Sequence, residues 1–307
     1  MTPASPANTA NTAPDIDAWR SLSAADLARA YSPSSCIGGN YQPVVQAYAQ
    51  RSAQAQATLP HQTHRYGPGA AQRLDLFLPP VVAGAALPPL LVFIHGGYWQ
   101  ELGKDQSAFA APDCLRQGMA HAVLDYTLAP QATLAQIVAE CRLALRWLHG
   151  RAAALGFDAA QIVVAGSSAG AHLAAMVALP VPGDDSAAAT VRATVLVSGI
   201  FDLEPLVGTP INQALGLSVA DAQALSPLRQ PLAGCAPALV CWGEVETDEF
   251  KRQGRAFAAA LAAAGVACQA FEVAERNHFD IVLDLADPGT GLGRAVVGLL
   301  RSEGFGA

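Results

Sequence analysis

The stretch QIVVAGSSAGAHLAAMVAL, residues 161–179, changes character at its centre. Its first part is a short apolar run rich in β-branched residues, the pattern of a strand buried on both faces. Its second part is an apolar, alanine-rich run suited to a helix. Between them lies Gly166-Ser167-Ser168-Ala169-Gly170. A serine held on a sharp strand-to-helix turn needs small neighbours two positions to either side, because the strained backbone and close packing leave no room for a β-carbon. The motif marks Ser168 as a candidate nucleophile, supported by Gly166 and Gly170. A glycine- and serine-rich loop of no special role is the plainer reading, and the elements flanking the motif weigh against it.

Working outward, the strand signature recurs in RLDLFLP (73–79), PLLVFI ending at Ile94, AVLDY ending at Tyr126, ATVLVSG ending at Gly199, PALVCWG ending at Gly243 and VACQAFEV ending at Val273. Most are continuous apolar runs that stop at glycine or a polar residue. Helical periods lie between several of them. From Thr133 to Gly150, residues Leu134, Ile137 or Val138, Cys141, Leu145 and Leu148 fall in step, with Gly150 placed to stop the helix. From Glu249 to Gly265, residues Phe250, Phe257 and Leu261 repeat the arrangement. Alternation of strand and helix predicts an α/β fold, a mostly parallel, doubly wound sheet flanked by helices, with no internal repeat.

The chain has 307 residues, 52% of them hydrophobic and 14% charged, which suits one large domain over residues 15–307. Residues 1–14, dominated by Ala, Thr, Pro and Asn, read as a disordered tail. Residues 15–60 carry two helix-compatible stretches with Tyr31, Tyr41 and Tyr48, and read as an N-terminal extension packed on the core, over the mouth of the active site. A formal charge of −7 has the wrong sign for a nucleic-acid or anionic-membrane surface, so neither partner is expected. The first basic residue is Arg20, no apolar segment approaches the length of a membrane span, and the opening does not resemble a secretory signal, which predicts a cytoplasmic protein. The six cysteines, Cys36, Cys114, Cys141, Cys235, Cys241 and Cys268, show neither CxxC nor metal-site spacing and read as buried free thiols. Association into a homodimer is left open.

His95-Gly96-Gly97-Tyr98-Trp99 follows the strand ending at Ile94. Acyl transfer develops negative charge on the carbonyl oxygen, and main-chain N–H groups aimed at it stabilise that charge; glycine lets the backbone approach closely enough. The N–H groups of Gly97 and Tyr98, with that of Ala169, are the oxyanion-hole candidates, with His95 and Gly96 holding the loop. A tight turn after a strand is the plain reading of this motif alone. The two motifs in this order, about 70 residues apart, are more specific than either. The base must follow in the chain, and His278 in ERNHFDIV (275–282) does so, after the last strand. His61 and His64 precede the sheet, while His121, His149 and His172 read as structural. The orienting carboxylate should come from GEVETDEF (243–250), which offers Glu244, Glu246, Asp248 and Glu249; position favours Glu246 or Asp248, and the rest suit a solvated helix start.

Taken together, HGGYWQ (95–100), LGKDQSAFAAP (102–112), YTLAPQATLAQIV (126–138), GSSAGAHLAAM (166–176), LVSGIFDLEPL (196–206), GEVETDEFKRQ (243–253) and NHFDIV (277–282) resemble the arylformamidase (kynurenine formamidase) family of the α/β-hydrolase fold, with a weaker echo in YSPSSCIGG (31–39). The resemblance implies metal- and cofactor-free hydrolysis of N-formyl-L-kynurenine to L-kynurenine and formate, in tryptophan catabolism. By motif position the family's nucleophile falls on Ser168 and its base on His278. Its acid, usually Asp, falls on Glu246, a departure that leaves Asp248 as the alternative. Tyr98, Trp99 and Phe201 are candidates for an apolar wall around the aryl group, against the plainer reading of core aromatics. A carboxylesterase acting on short-chain or aryl esters is the competing activity, and a non-catalytic ligand receptor on the same scaffold is the remote one.

Overall fold

The computed structural model describes residues 15–80, 84–180 and 191–301, so the tail expected over 1–14 lies outside the described residues. The strands are β1 (His61–Arg65), β2 (Arg73–Phe77), β3 (Leu90–Ile94), β4 (Ala120–Leu124), β5 (Ile162–Ser167), β6 (Ala193–Val197), β7 (Ala238–Val245) and β8 (Cys268–Asn277). The helices are α1 (Ala24–Ala30), α2 (Gln42–Thr58), α3 (Ala111–Arg116), α4 (Leu134–Leu155), α5 (Ala169–Ala178), α6 (Asn212–Leu215), α7 (Val219–Ala224), α8 (Asp248–Ala263) and α9 (Gly291–Leu300). The strands form one sheet in the order β1-β2-β4-β3-β5-β6-β7-β8. The β1/β2 and β2/β4 pairs are antiparallel and the others parallel, giving the α/β-hydrolase arrangement that the sequence predicts.

The central strands are buried on both faces because helices cover both. Along β3, Leu90, Val92 and Ile94 pack into one core with α4, α5 and α8, while Leu91 and Phe93 pack into the other with α2, α3 and α9. Helix α5 is buried along its whole length. Its small residues let it lie close against β5 and β6, which explains why that segment is rich in alanine.

Three local readings need correction. His61 and His64 do not precede the sheet: they lie on β1, an exposed edge strand whose polar sequence HQTHR carries no apolar alternation to reveal it. Helix α4 does not stop at Gly150 but runs to Leu155 and is capped by Gly156 at φ +92°. A glycine in an exposed helix interior costs only about 1 kcal/mol, too little to end a helix already held by a Thr133–Gln136 capping box and a buried apolar stripe. The cysteines are all free, but only Cys114, Cys141 and Cys241 are buried, and Cys36 is exposed.

Register decides where chemistry can occur. Ile94 pairs with Gly166, Ser167 with Val197, and Val197 with Cys241, so β3, β5 and β6 end near one line while β7 runs on to Val245. The residues that follow them, His95, Ser168, Ser198 and Glu246, gather at the carboxyl edge. In open α/β sheets that edge is where binding crevices form.

Candidate active site

Ser168 occupies the turn between β5 and α5 at φ +57°, ψ −119°, a conformation that costs energy for any residue with a side chain. Its N–H donates to the Val197 carbonyl at 2.8 Å, which anchors the turn to the neighbouring strand. The requirement for glycine on either side is steric. A β-carbon on Gly166 would sit 2.1 Å from the Gly170 carbonyl oxygen, and one on Gly170 would sit 2.0 Å from that of Ile94.

The His95–Trp99 loop crosses over this turn. A β-carbon on Gly96 would meet the Ser167 carbonyl oxygen at 2.8 Å, and Gly97, at φ +91°, would meet that of Glu101 at 2.5 Å. Both glycines therefore permit a backbone approach that no other residue allows. Among the described residues, no hydrogen bond is donated by the N–H of Gly97, Tyr98 or Ala169. His95 holds the loop from behind: its Nδ1–H donates to the Gly96 carbonyl at 2.9 Å, and its ring stacks on Tyr126 at 4.2 Å. Burial pushes its imidazole down to about 4, so the ring is neutral.

His278 follows β8 on a turn fixed by its neighbours. Asn277 and Asp280 bond to each other at 2.7 Å, and the Asn277 side-chain oxygen accepts the N–H of Phe279 at 2.9 Å. His278 Nδ1 lies 3.0 Å from Glu246 Oε2, and both side chains are buried. Donation from Nδ1 to the carboxylate leaves Nε2 as the free nitrogen. Glu246 Oε1 accepts from Ser198 Oγ and from the Gly243 N–H, each at 2.5 Å. Asp248 is exposed at the first turn of α8, and Glu244 is exposed and accepts the Glu275 N–H. Of the carboxylates in the turn, then, Glu246 meets the imidazole and Asp248 does not.

Ser168 and His278 line one cavity of about 410 Å³ together with Gly96, Gly97 and Tyr98. No hydrogen bond joins Ser168 to His278 in this structure. The N-terminal extension supplies much of the remaining wall through Tyr31, Tyr41 and Tyr48. Tyr41 stacks on Phe279 at 5.0 Å, and the Tyr48 hydroxyl donates to the Phe279 carbonyl. These three tyrosines were legible as members of an extension over the mouth, but nothing in their spacing marks them as cavity residues.

The expected aromatic wall divides. Tyr98 lines the cavity, whereas Trp99 and Phe201 do not. Consecutive left-handed residues, Tyr98 at φ +49° and Trp99 at φ +60°, turn the loop so that Trp99 enters the core, edge-on to His172 at 5.1 Å. Phe201 is drawn away by Gln253, whose side-chain oxygen accepts the N–H groups of Phe201 and Asp202, and its ring stacks on Phe257 at 4.2 Å. Among the described residues, no three His, Cys, Asp or Glu side chains cluster as a metal site. No helix there is long and apolar enough to cross a membrane.

The sheet order, the strained serine turn and the loop crossing over it define an α/β-hydrolase. The family profile described as BD-FAE matches residues 74–228. Kynurenine formamidase of Danio rerio is 30% identical over 88% of this chain and 94% of its own. Esterase LipQ of Mycobacterium tuberculosis is 29% identical over 70% of this chain and 56% of its own. A crystal structure from Silicibacter sp. TM1040, assigned as a thioesterase, superposes with a TM-score of 0.75 at 28% identity, covering 90% of this chain and 99% of the other. The chain belongs to the arylformamidase (kynurenine formamidase) family of α/β-hydrolases.

Proposed function

We propose that the protein is an arylformamidase that hydrolyses N-formyl-L-kynurenine to L-kynurenine and formate through Ser168, His278 and Glu246. The observation that carries the mechanism is the buried 3.0 Å contact between His278 and Glu246 at the cavity that Ser168 also lines. Ser168 Oγ attacks the formyl carbon while His278 Nε2 takes its proton. The N–H groups of Gly97, Tyr98 and Ala169 receive the developing oxyanion. The carbon–nitrogen bond then breaks, and His278 returns the proton to the departing aniline nitrogen. Water, deprotonated by His278, attacks the formyl-serine, releasing formate and restoring the hydroxyl. Glu246 keeps Nδ1 protonated and stabilises the imidazolium throughout.

The substrate assignment draws on the 30% identity to the zebrafish enzyme and on the aromatic wall formed by Tyr31, Tyr41, Tyr48 and Tyr98, which suits an aryl ring. The six free thiols accord with a cytoplasmic setting. Ester hydrolysis is the second reading. It is favoured by the similarity to LipQ and by a cavity wall that, among the described residues, includes no lysine or arginine to meet the α-carboxylate of formylkynurenine. Rates on N-formylkynurenine and p-nitrophenyl acetate, measured side by side, separate the two. A kcat/KM for the formamide well above that for the ester is expected, and the reverse order would make the protein an esterase.

A further inference from the structure

We infer that Ser198 is a positioning residue for the acid, holding the Glu246 carboxylate toward His278 and tempering its charge. The inference rests on the reading of Glu246 as the triad acid. In LVSGIFDLEPL, Ser198 follows directly on β6, and its N–H donates to the Cys241 carbonyl at 2.8 Å, carrying the β6/β7 ladder one residue past the end of β6. At that point the backbone takes φ +52°. A left-handed conformation favours glycine, yet the glycine of this motif stands one place later, at 199. Strain kept at a residue that retains its side chain points to work done by that side chain.

The side chain is a hydroxyl, buried, with its oxygen 2.5 Å from Glu246 Oε1. A carboxylate can only accept, so the Ser198 hydrogen is committed to it. The Gly243 N–H approaches the same oxygen, which leaves Oε2 for His278 Nδ1. Glutamate has one more rotatable bond than aspartate, and two donors on Oε1 fix which oxygen faces the imidazole. They also disperse the negative charge, since hydrogen bonds to a carboxylate stabilise its ionised form. Ser198 is absent from the cavity wall, so it acts on substrate only through Glu246 and His278.

The test is Ser198→Gly, which removes the hydroxyl while relieving the backbone, with Ser198→Ala beside it; thermal melting establishes that each is folded. Expected for Ser198→Gly is a fall in kcat of about tenfold, within the range for a hydrogen bond to a charged group, with KM little changed. The acidic limb of the kcat/KM pH profile should move to higher pH, because a less neutralised carboxylate raises the basicity of His278. In a Glu246→Gln background the same change should cost nothing further. If Glu246→Gln is crippling while Ser198→Gly leaves both kcat and the acidic limb in place, Ser198 is a packing residue and the inference is wrong. If Glu246→Gln itself costs little, the acid assignment falls first and takes this inference with it.

Discussion

The Tyr48 hydroxyl, on α2, donates to the carbonyl of Phe279, the residue after His278. Tyr41, just ahead of α2, stacks on the Phe279 ring. At the other end of the site, Thr247 Oγ1 donates to the Ala30 carbonyl at 2.6 Å, next to Glu246 in the chain. The N-terminal extension thus holds both the turn that carries His278 and the turn that carries Glu246.

Tyr48→Phe removes one hydrogen bond and leaves the ring packed against Phe109. A lost bond of about 1 kcal/mol corresponds to a three- to tenfold fall in kcat/KM. Steady-state kinetics on a variant with unchanged melting temperature checks this, and an unaltered rate would detach the extension from the chemistry.

Ser168→Ala should abolish turnover without unfolding the protein, since triad serines contribute on the order of 10⁶ to kcat. Ser167→Ala should be nearly silent. Retention of more than about a hundredth of the rate by the first variant would remove Ser168 from the mechanism.

Glu246→Gln presents the wrong hydrogen-bonding group to the imidazole, and the expected loss in kcat is on the order of 10³ to 10⁴. Asp248→Asn alters only an exposed first-turn residue of α8 and should cost a few tenths of a kcal/mol in stability and little in rate. Greater damage from Asp248→Asn would move the acid to that position.

Gly170→Ala should be among the most destabilising single substitutions in the protein. Its β-carbon would lie 2.0 Å from the Ile94 oxygen and 2.6 Å from that of His95, both backbone atoms in the packed core. Overpacking costs about 1–3 kcal/mol where neighbours can shift, and here they cannot do so cheaply. Soluble yield and denaturant midpoint report it; a variant as stable as the parent would mean that the turn is less tightly packed than it stands.

Burial also pushes His95, His121 and His172 each down to about 4, against an ordinary value of 6.5. Unfolding frees all three to charge, so below pH 6.5 the unfolded state binds more protons. Stability should be complete above that pH and fall as pH drops toward 4, each ring contributing up to about 1.4 kcal/mol per pH unit. Urea unfolding at several pH values measures the slope. A flat profile between about pH 5 and 6.5 would mean that the three rings are not held neutral by the fold.

The sequence by itself determined the elements whose physics is local. Apolar or alternating runs, most of them stopping at glycine or a polar residue, located seven of the eight strands. GxSxG and HGG located the turn and the loop because only glycine survives those approaches, and chain order pointed to His278. The polar edge strand β1 escaped because its two exposed faces impose no alternation. Tertiary structure decided the rest. Glu246 and Asp248 stand two residues apart in the chain, and only the start of α8 at Asp248 separates a carboxylate turned inward from one left in solvent. Trp99 and Phe201 sit beside site elements in sequence, yet left-handed backbone at one and Gln253 at the other send both rings into the core. Tyr48 and Ser198 meet their partners across 231 and 48 residues of chain. Those partners become neighbours only when the sheet is assembled, because side-chain direction at a strand end is set by register with the next strand, which local sequence does not encode.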